Sequence, residues 1–252
     1  MRFEEHPTDE LLRRLVAEAR ERGEETLTVE TTREAGDSWA RAGFDERARL
    51  FEAPVAALEQ RLNAEQAPSF GSVHVQTDDL DAVVRAVRQF VPRLPGGSKG
   101  SVVAPPRNGW TTVYDELTDR DPEMLRRLAR ELSDRMGAVV LLLGVEDEQV
   151  VRFVLFERGR VMDEYLSVPE YHGELPPGDV IALSANPTVV ARLTGADPSG
   201  VRRVARTAKA PRELPPAGEL VAELGRLLGV AGGEHGYAQA GEIPDAVAVP
   251  RE

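Results

Sequence analysis

Alternation of apolar and polar residues marks several strands in the middle of the chain. Residues 72–77 alternate with a period of two, which is typical of a half-buried strand. The most apolar run of the chain, residues 138–145, has the length and the β-branched content of a central strand. Residues 150–156 and 161–166 follow after short polar turns. Because strands joined so closely pair with one another, this pattern predicts an antiparallel meander.

Two amphipathic helices are predicted between these strands. The first begins after Asp78 or Asp79, either of which can cap it. The second opens at Asp121–Pro122 and ends at Gly137. Their apolar faces recur at helical spacing: Leu80, Val83, Val84, Val87 and Val91 in the first helix, and Leu125, Leu128, Ala129, Leu132 and Met136 in the second.

The order of these elements predicts the fold class of the central region. Two more extended segments, residues 101–104 and 110–115, flank a turn rich in Pro and Gly. The resulting order, β-α-β-α-β-β-β, predicts an α+β domain over residues 72–168. We expect its antiparallel sheet to carry the helices on one face.

After Pro169 the chain becomes a series of short helices. Pro-rich joints separate them, and they begin at Asn186–Pro187, at Asp197–Pro198 and near Glu219. We therefore predict a short helical tail over residues 179–229. Because residues 230–252 are rich in Gly and Ala, we expect a loosely ordered C-terminus there.

The N-terminal 66 residues combine a helix, a strand and a second helix. Residues 8–20 carry apolar side chains at helical spacing, and Gly23 stands where the helix would end. The strand 26–31, a polar stretch, a short apolar helix and the pair Gly43–Phe44 follow. This succession resembles the C-terminal half of an N-acetyltransferase of the GNAT type, so residues 1–66 are interpreted as a GNAT-like half-domain.

The resemblance implies an acetyl-CoA site that this sequence does not reproduce. In the family, Arg/Gln-x-x-Gly-x-Gly/Ala precedes the first helix, and its backbone amides hold the pyrophosphate. Here residues 4–9 contain no glycine and are rich in Glu, Asp and Pro, so they would repel a pyrophosphate. The chain starts at Met1, so the preceding strands are expected to be absent. We expect no cofactor, and an acyl-CoA-dependent N-acetyltransferase or a degenerate relative stays as an alternative.

Composition favours a cytoplasmic protein. The 252 residues carry a formal net charge of −12 and include no Cys. No apolar run is long enough to span a membrane, and the N-terminus lacks a signal pattern. The acidic balance argues against wholesale coating of nucleic acid or of anionic membranes. We therefore expect no membrane partner.

No catalytic or metal-binding constellation is evident. The four histidines, His6, His74, His172 and His235, share no metal-ligand spacing. Neither a nucleophile elbow nor a Walker loop is present. His74 lies in an alternating strand, where a polar sheet-face residue is favoured over a catalytic base. We thus predict no catalytic residue and no metal ligand.

One polar and aromatic cluster is the candidate binding surface. It comprises Trp110, Asp163, Glu164, Tyr165, Tyr171 and His172. A carboxylate near a histidine can tune acid–base chemistry, whereas tyrosines and a histidine also suit a protein interface. The alternative is a sheet edge with solvated carboxylates, with Trp110 capping the core.

Residues 188–206 resemble the helix-turn-helix of bacterial repressors. Ala191, Gly195, Val201 and Val204 occupy the small, turn and apolar positions of that unit. The resemblance implies DNA contacts from Ser199, Arg202, Arg203 and Arg206. An ordinary corner between two helices is the alternative, because Asp197, Pro198 and Gly200 are unusual in a recognition helix.

Three functions remain open on the sequence. The first is a non-enzymatic binding or regulatory protein, whose partner we expect to be another protein. The second is a DNA-binding regulator acting through residues 187–208. The third is the acyl-CoA enzyme or its relative. The middle and the tail together also resemble a prokaryotic protein family, and that likeness implies no activity.

Overall fold

A computed structural model describes residues 2–3, 8–31, 42, 45–47, 50–54, 69–95 and 97–250. The chain divides into two compact units, residues 1–67 and 68–252. Residues 72–168 and 179–229, which the sequence separates into a domain and a tail, both lie in the second unit.

The first unit contains an amphipathic helix, α1 (Asp9–Glu21). The helix begins where the Thr8 hydroxyl accepts a hydrogen bond from the Leu11 N–H at 3.2 Å. Gly23 follows its last turn with a φ of +71°, a conformation that favours glycine. Its buried side chains are Leu12, Leu15, Val16 and Ala19. The apolar spacing of the sequence thus predicts the buried face of α1.

The described part of the first unit also contains a sheet with the order β1-β2-β4-β3. Its strands are β1 (Arg2–Phe3), β2 (Thr26–Thr31), β3 (Asp45–Arg47) and β4 (Leu50–Pro54). Strand β1 runs parallel to β2, while β2 and β3 run antiparallel to β4. The presence of β1 corrects the expectation that no strand precedes α1. Residues 4–7, the short apolar helix after β2 and Gly43–Phe44 lie outside the described residues.

The second unit is built on a sheet with the order β10-β9-β8-β5-β7-β6-β11, in which every neighbouring pair is antiparallel. The strands are β5 (Phe70–Val75), β6 (Gly100–Val103), β7 (Thr111–Asp115), β8 (Val139–Glu146), β9 (Val150–Glu157), β10 (Arg160–Leu166) and β11 (Val247–Pro250). The α+β class and the β8–β9–β10 meander are confirmed.

One face of this sheet packs against two long helices, and it is here called the α4 face after the longer of them, α4 (Pro122–Met136). These are α2 (Leu80–Phe90) and α4 (Pro122–Met136), with the short α3 (Glu116–Arg120) preceding α4. The Asp79 carboxylate caps α2 by accepting from the Ala82 N–H at 2.9 Å. Val73, Val113 and Leu142 meet Val83 and Leu128 in this core. A Cβ at Gly71 would lie 2.3 Å from Leu125, so glycine allows α4 to approach β5 closely.

The opposite face, here the tail face, is also covered by helices, which corrects the expectation of helices on one face. The covering elements include α6 (Pro187–Thr194), α7 (Pro198–Val204) and α8 (Ala217–Leu228); α5 (Pro177–Ala182) precedes them. Leu141 and Leu143 of β8 contact this layer, whereas Val140 and Leu142 contact the α4 layer. The unbroken apolar run of β8 requires cover on both faces.

The C-terminal residues are packed, which corrects the expectation of a loosely ordered segment from residue 230. Strand β11 pairs with β6 from Val247 opposite Val103 to Pro250 opposite Gly100. Val249 is buried, as is Ala240 of α9 (Tyr237–Ala240). Gly232, Gly233 and Gly236 allow this segment to lie close against neighbouring side chains. Within the described ranges, no helix is long and apolar enough to cross a membrane.

Candidate functional site

The second unit contains a cleft of ≈ 720 Å³, here called the C-terminal cleft. Its lining comes from three places: the β6–β7 turn with β7, helix α8, and residues 229–244. Arg107 and Tyr114 represent the first, Arg226 the second, and Glu234 and His235 the third. Elements distant in sequence therefore converge here, and most of them are loops.

Beneath the cleft, the tail face carries a row of buried polar side chains. The Ser72 hydroxyl lies 2.9 Å from His74 Nε2, and His74 Nδ1 lies 2.8 Å from Thr112 Oγ1. Thr112 in turn donates to the Ala231 carbonyl at 3.4 Å. Because the Thr112 proton goes to Ala231, its oxygen accepts from His74 Nδ1–H, and Nε2 then accepts from Ser72. One neutral imidazole tautomer satisfies the whole row.

His74 is a structural residue in this row, as the sequence favoured. It is fully buried, and burial lowers its pKa from 6.5 to about 3. A general base that works near neutral pH needs a pKa close to that pH and access to the substrate. His74 has neither, and it instead connects the sheet to the loop that lines the cleft.

Two further hydrogen bonds fix residues 229–244 on the sheet. The Tyr114 hydroxyl donates to the Gly232 carbonyl at 2.9 Å, and burial raises the Tyr114 pKa, with the Glu234 charge adding to the rise. The Asp119 carboxylate accepts from the Tyr237 N–H at 2.7 Å and from the Gly71 N–H at 3.1 Å. Burial raises the Asp119 pKa to about 6.

Glycines are required where the loop meets these side chains. A Cβ at Gly232, whose φ is +78°, would lie 2.2 Å from the Tyr114 hydroxyl. A Cβ at Gly233 would lie 2.6 Å from a Leu143 methyl carbon. Any larger residue would lift the loop and change the floor of the cleft.

Two members of the candidate binding surface are core residues, which corrects their assignment to a recognition surface. Trp110 is 3% exposed and packs with the tail-face core, as the alternative of a core cap anticipates. Tyr165 is fully buried, stacks on Phe153 at 5.2 Å between ring centroids, and donates to the Arg206 carbonyl at 2.8 Å. Burial removes both aromatic rings from contact with a partner.

Asp163 and Glu164 lie on opposite faces of edge strand β10, so they do not form one site. Asp163 accepts from the Asn186 N–H at 3.0 Å ahead of α6, and burial raises its pKa to about 6. Glu164 makes a two-pronged ion pair with Arg126 of α4, with distances of 2.5 Å and 2.8 Å. Both carboxylates are therefore bound by other residues of the fold.

Tyr171 and His172 do come together, against the turn between β8 and β9. His172 Nε2 lies 2.8 Å from Glu146 Oε2, and the Tyr171 hydroxyl donates to Asp147 at 3.2 Å. Arg152 Nη2 approaches the other Glu146 oxygen at 2.6 Å, a charge contact without hydrogen-bond angles. This group pins the segment after β10 to the turn.

The candidate DNA contacts remain on the surface. Ser199, Arg202, Arg203 and Arg206 are all exposed, on α7 or just after it. Val201 and Val204 are buried, while Gly195 ends α6 with a φ of +79°. Gly200 is buried under α8, and a Cβ there would lie 2.7 Å from Leu227. The glycine that weakens α7 thus permits close packing between α7 and α8.

Sequence reasoning missed the residues that line the C-terminal cleft. Arg107 and Asn108 lie in a turn, Arg226 lies on a predicted helix, and residues 229–244 fall in the segment expected to be loose. The glycines between residues 229 and 236, set against a strand with a polar face, were the available signal.

Comparison with models of protein families, with curated protein sequences and with solved structures finds no match.

Proposed function

We propose that this protein is a non-enzymatic binding protein whose ligand occupies the C-terminal cleft. The observation that carries the proposal is the size and lining of the cleft. Its ≈ 720 Å³ lies in the range of about 300–1,000 Å³ typical of small-molecule sites. Val230 and Ile243 supply apolar surface, and the charged groups of Arg107, Arg226 and Glu234 surround it.

The expectation of a protein partner rested on a surface that included Trp110 and Tyr165. Since both side chains are buried, the binding proposal rests instead on the cleft. The imidazole of His74, which lies beneath the cleft, also supports a binding role over a catalytic one. Burial keeps this imidazole neutral and closed to solvent. The row of His74 and its partners holds the cleft wall in place.

The test compares four probes of similar size: benzoate, phenyl phosphate, benzyl alcohol and benzylamine. Probe binding is measured by saturation-transfer NMR on the full chain and on Ala222→Phe, since Ala222 of α8 lines the cleft and a phenyl ring there would fill it. We expect at least one probe to bind with a Kd of about 1 mM. Ala222→Phe should weaken its binding at least about tenfold.

The matched control is Ala191→Phe on α6, which is equally half-exposed and does not line the cleft. It should leave probe binding unchanged. The proposal fails if no probe binds, or if the two Phe variants behave alike. Acetyl-CoA is added as a fifth ligand, because a thermal shift that survives Ala222→Phe would instead favour the acyl-CoA alternative.

A second candidate function is nucleic-acid binding through α7. It is favoured by Arg202, Arg203 and Arg206, whose guanidinium groups are exposed and form no ion pair within the described part of the chain. Exposed arginines without carboxylate partners are available to phosphates. This basic surface stands on a chain with a net charge of −12.

The paired substitution Arg202→Glu with Arg203→Glu tests this candidate against a 30-base-pair DNA duplex. Binding should fall at least about tenfold, and the slope of log K against log salt should drop by about 2. Arg127→Glu with Arg130→Glu on α4 makes the same charge change at two other exposed arginines. Equal losses from the two pairs would show nonspecific charge repulsion and refute a contact surface on α7.

A further inference from the structure

We propose that the ligand of the C-terminal cleft carries an acidic group, a carboxylate or a phosphate, bound by Arg107, Arg226 and the backbone N–H group of Gly232. This inference rests on the proposed function and names the chemical class of the ligand. It requires two arginines near each other, free backbone donors beside them, and a scaffold that holds both.

The two arginines belong to neighbouring elements that one hydrogen bond joins. The Asn108 side-chain amide donates to the Gly229 carbonyl at 3.3 Å, which joins the β6–β7 turn to the end of α8. Arg107 is the residue before Asn108, and Arg226 lies in the last turn of α8. Both line the cleft and are exposed. Neither guanidinium forms an ion pair with any residue in the described ranges, so each retains donors for a planar acid.

The loop beside them carries backbone donors without acceptors. The N–H groups of residues 231–234 form no hydrogen bond to the described residues. The carbonyls of Ala231 and Gly232 are used, since Thr112 and Tyr114 donate to them. A trans peptide points its carbonyl and its N–H in opposite directions, and there is no cis peptide in the chain as described. The N–H group of Gly232, which lines the cleft, therefore faces away from the Thr112 hydroxyl.

A backbone N–H group without an acceptor binds an anion, more strongly when a guanidinium is near. The loop is fixed to the sheet because Thr112 donates to the Ala231 carbonyl and Tyr114 donates to the Gly232 carbonyl. These two acceptors are thus satisfied, while the Gly232 N–H group has no acceptor among the described residues.

Three titratable side chains of the lining oppose or modulate the anion. Glu234 and Glu242 are exposed carboxylates of the same cleft, and His235 Nε2 lies 3.7 Å from Glu234 Oε1. Repulsion by the Glu234 and Glu242 carboxylates should restrict the acidic group of the ligand to the end of the cleft formed by Arg107 and Arg226. Glu234→Gln should consequently strengthen anion binding by about two- to fivefold.

The decisive experiment uses the same four probes and adds Arg107→Met and Arg226→Met, which keep the aliphatic stem of each arginine. Benzoate or phenyl phosphate should bind the full chain at least about tenfold more tightly than benzyl alcohol and benzylamine. Each Met variant should weaken the bound anion about tenfold or more. Arg127→Met on α4 is the matched control and should change nothing. Benzoate against phenyl phosphate distinguishes carboxylate from phosphate.

A second measurement reports the backbone donor directly. In ¹H–¹⁵N spectra, the amide signal of Gly232 should move downfield when the anion is added. If benzyl alcohol or benzylamine binds best and Ala222→Phe abolishes that binding, the cleft is a ligand site but not one for acids. If no probe binds, the proposed function itself fails. Anion binding that survives both Met variants also overturns the assignment to these arginines.

Discussion

The tail face of the sheet is covered in two different ways. Over β8, β9 and β10 the covering layer is helical, and side chains such as Leu143 and Phe153 contact Leu220 and Leu224 of α8. Over β5 and β7 the covering layer is the loop of residues 229–236, joined to the sheet by hydrogen bonds from Thr112 and Tyr114. One half depends on apolar burial and the other on buried polar groups.

This difference between the two covers determines where the fold can hold a ligand. Apolar burial is non-directional and tolerates little empty space. A hydrogen-bonded cover must instead satisfy each polar group, and it can leave a cleft beside the bonds that fix it. Accordingly, the cleft lies at the polar half, next to His74 and its partners.

Phe153→Ala should produce the largest loss of stability, because it removes a fully buried ring from the helical half. We expect the free energy of unfolding to fall by about 3–5 kcal/mol, the usual cost of such a cavity. Urea denaturation measures it. Val161→Ala at the exposed edge strand is the control and should change the value by less than about 0.5 kcal/mol. A loss below about 1.5 kcal/mol for Phe153→Ala would contradict apolar burial as the source of stability here.

The polar half should respond to pH through His74. Its folded pKa of about 3 lies below its ordinary value of 6.5. The folded state therefore disfavours protonation, and its stability is full above pH 6.5 and falls as the pH drops toward 3. Between pH 6.5 and 4.5 the loss should reach about 2–3 kcal/mol.

His74→Gln keeps hydrogen-bonding groups in the row and removes the titration. Unfolding of this variant should show a flatter dependence on pH over the same window, measured by urea denaturation at each pH. If the two proteins lose stability in parallel between pH 6.5 and 4.5, the acid sensitivity arises elsewhere.

Local sequence patterns were sufficient for the regular elements. Asp79 and Asp121 cap the helices that they were expected to cap. The apolar spacing identifies the residues of α2 and α4 that pack against the sheet. The short turns between β8, β9 and β10 predict the meander. These features depend on interactions within a few residues, which a single sequence records.

The cleft and its wall could not be obtained in the same way. Strand β11 pairs with β6 across more than half of the second unit, and no local signal encodes that partner. The alternation of β5 identifies a polar face at Ser72 and His74, but that pattern ordinarily indicates solvent. Tyr165 and Asp163 alternate with Glu164 along β10, so residues adjacent in sequence lie on different faces. Composition alone indicated a loosely ordered segment over residues 230–252, whereas Gly232, Gly233 and Gly236 permit its close packing.

In the polar half, Asp119 should contribute a smaller pH dependence of stability than His74, with the opposite sign. Its pKa is raised to about 6, so the folded state favours the protonated form, and that contribution is present below about pH 4 and lost as the pH rises through 6. The carboxyl is partly exposed, so we expect only about 1 kcal/mol. Hydrogen exchange of the Tyr237 amide in wild type and Asp119→Asn measures it. Because the His74 shift is larger, His74→Gln should change the pH dependence of stability between pH 4 and 6.5 more than Asp119→Asn does, and the reverse order would contradict this comparison.

The smallest effect should come from the ion pair between Arg192 of α6 and Glu157 of β9, which joins the helical cover to the sheet. The two charged atoms are 3.5 Å apart, and both side chains are exposed by a third or more. Solvent and salt screen such pairs, so Glu157→Gln should cost less than about 0.5 kcal/mol in urea denaturation. Added salt should reduce even that difference. A loss above about 1.5 kcal/mol would mean that charge, rather than the burial of Val190 and Leu193, holds α6 on the sheet, and the distinction between the two halves would then disappear.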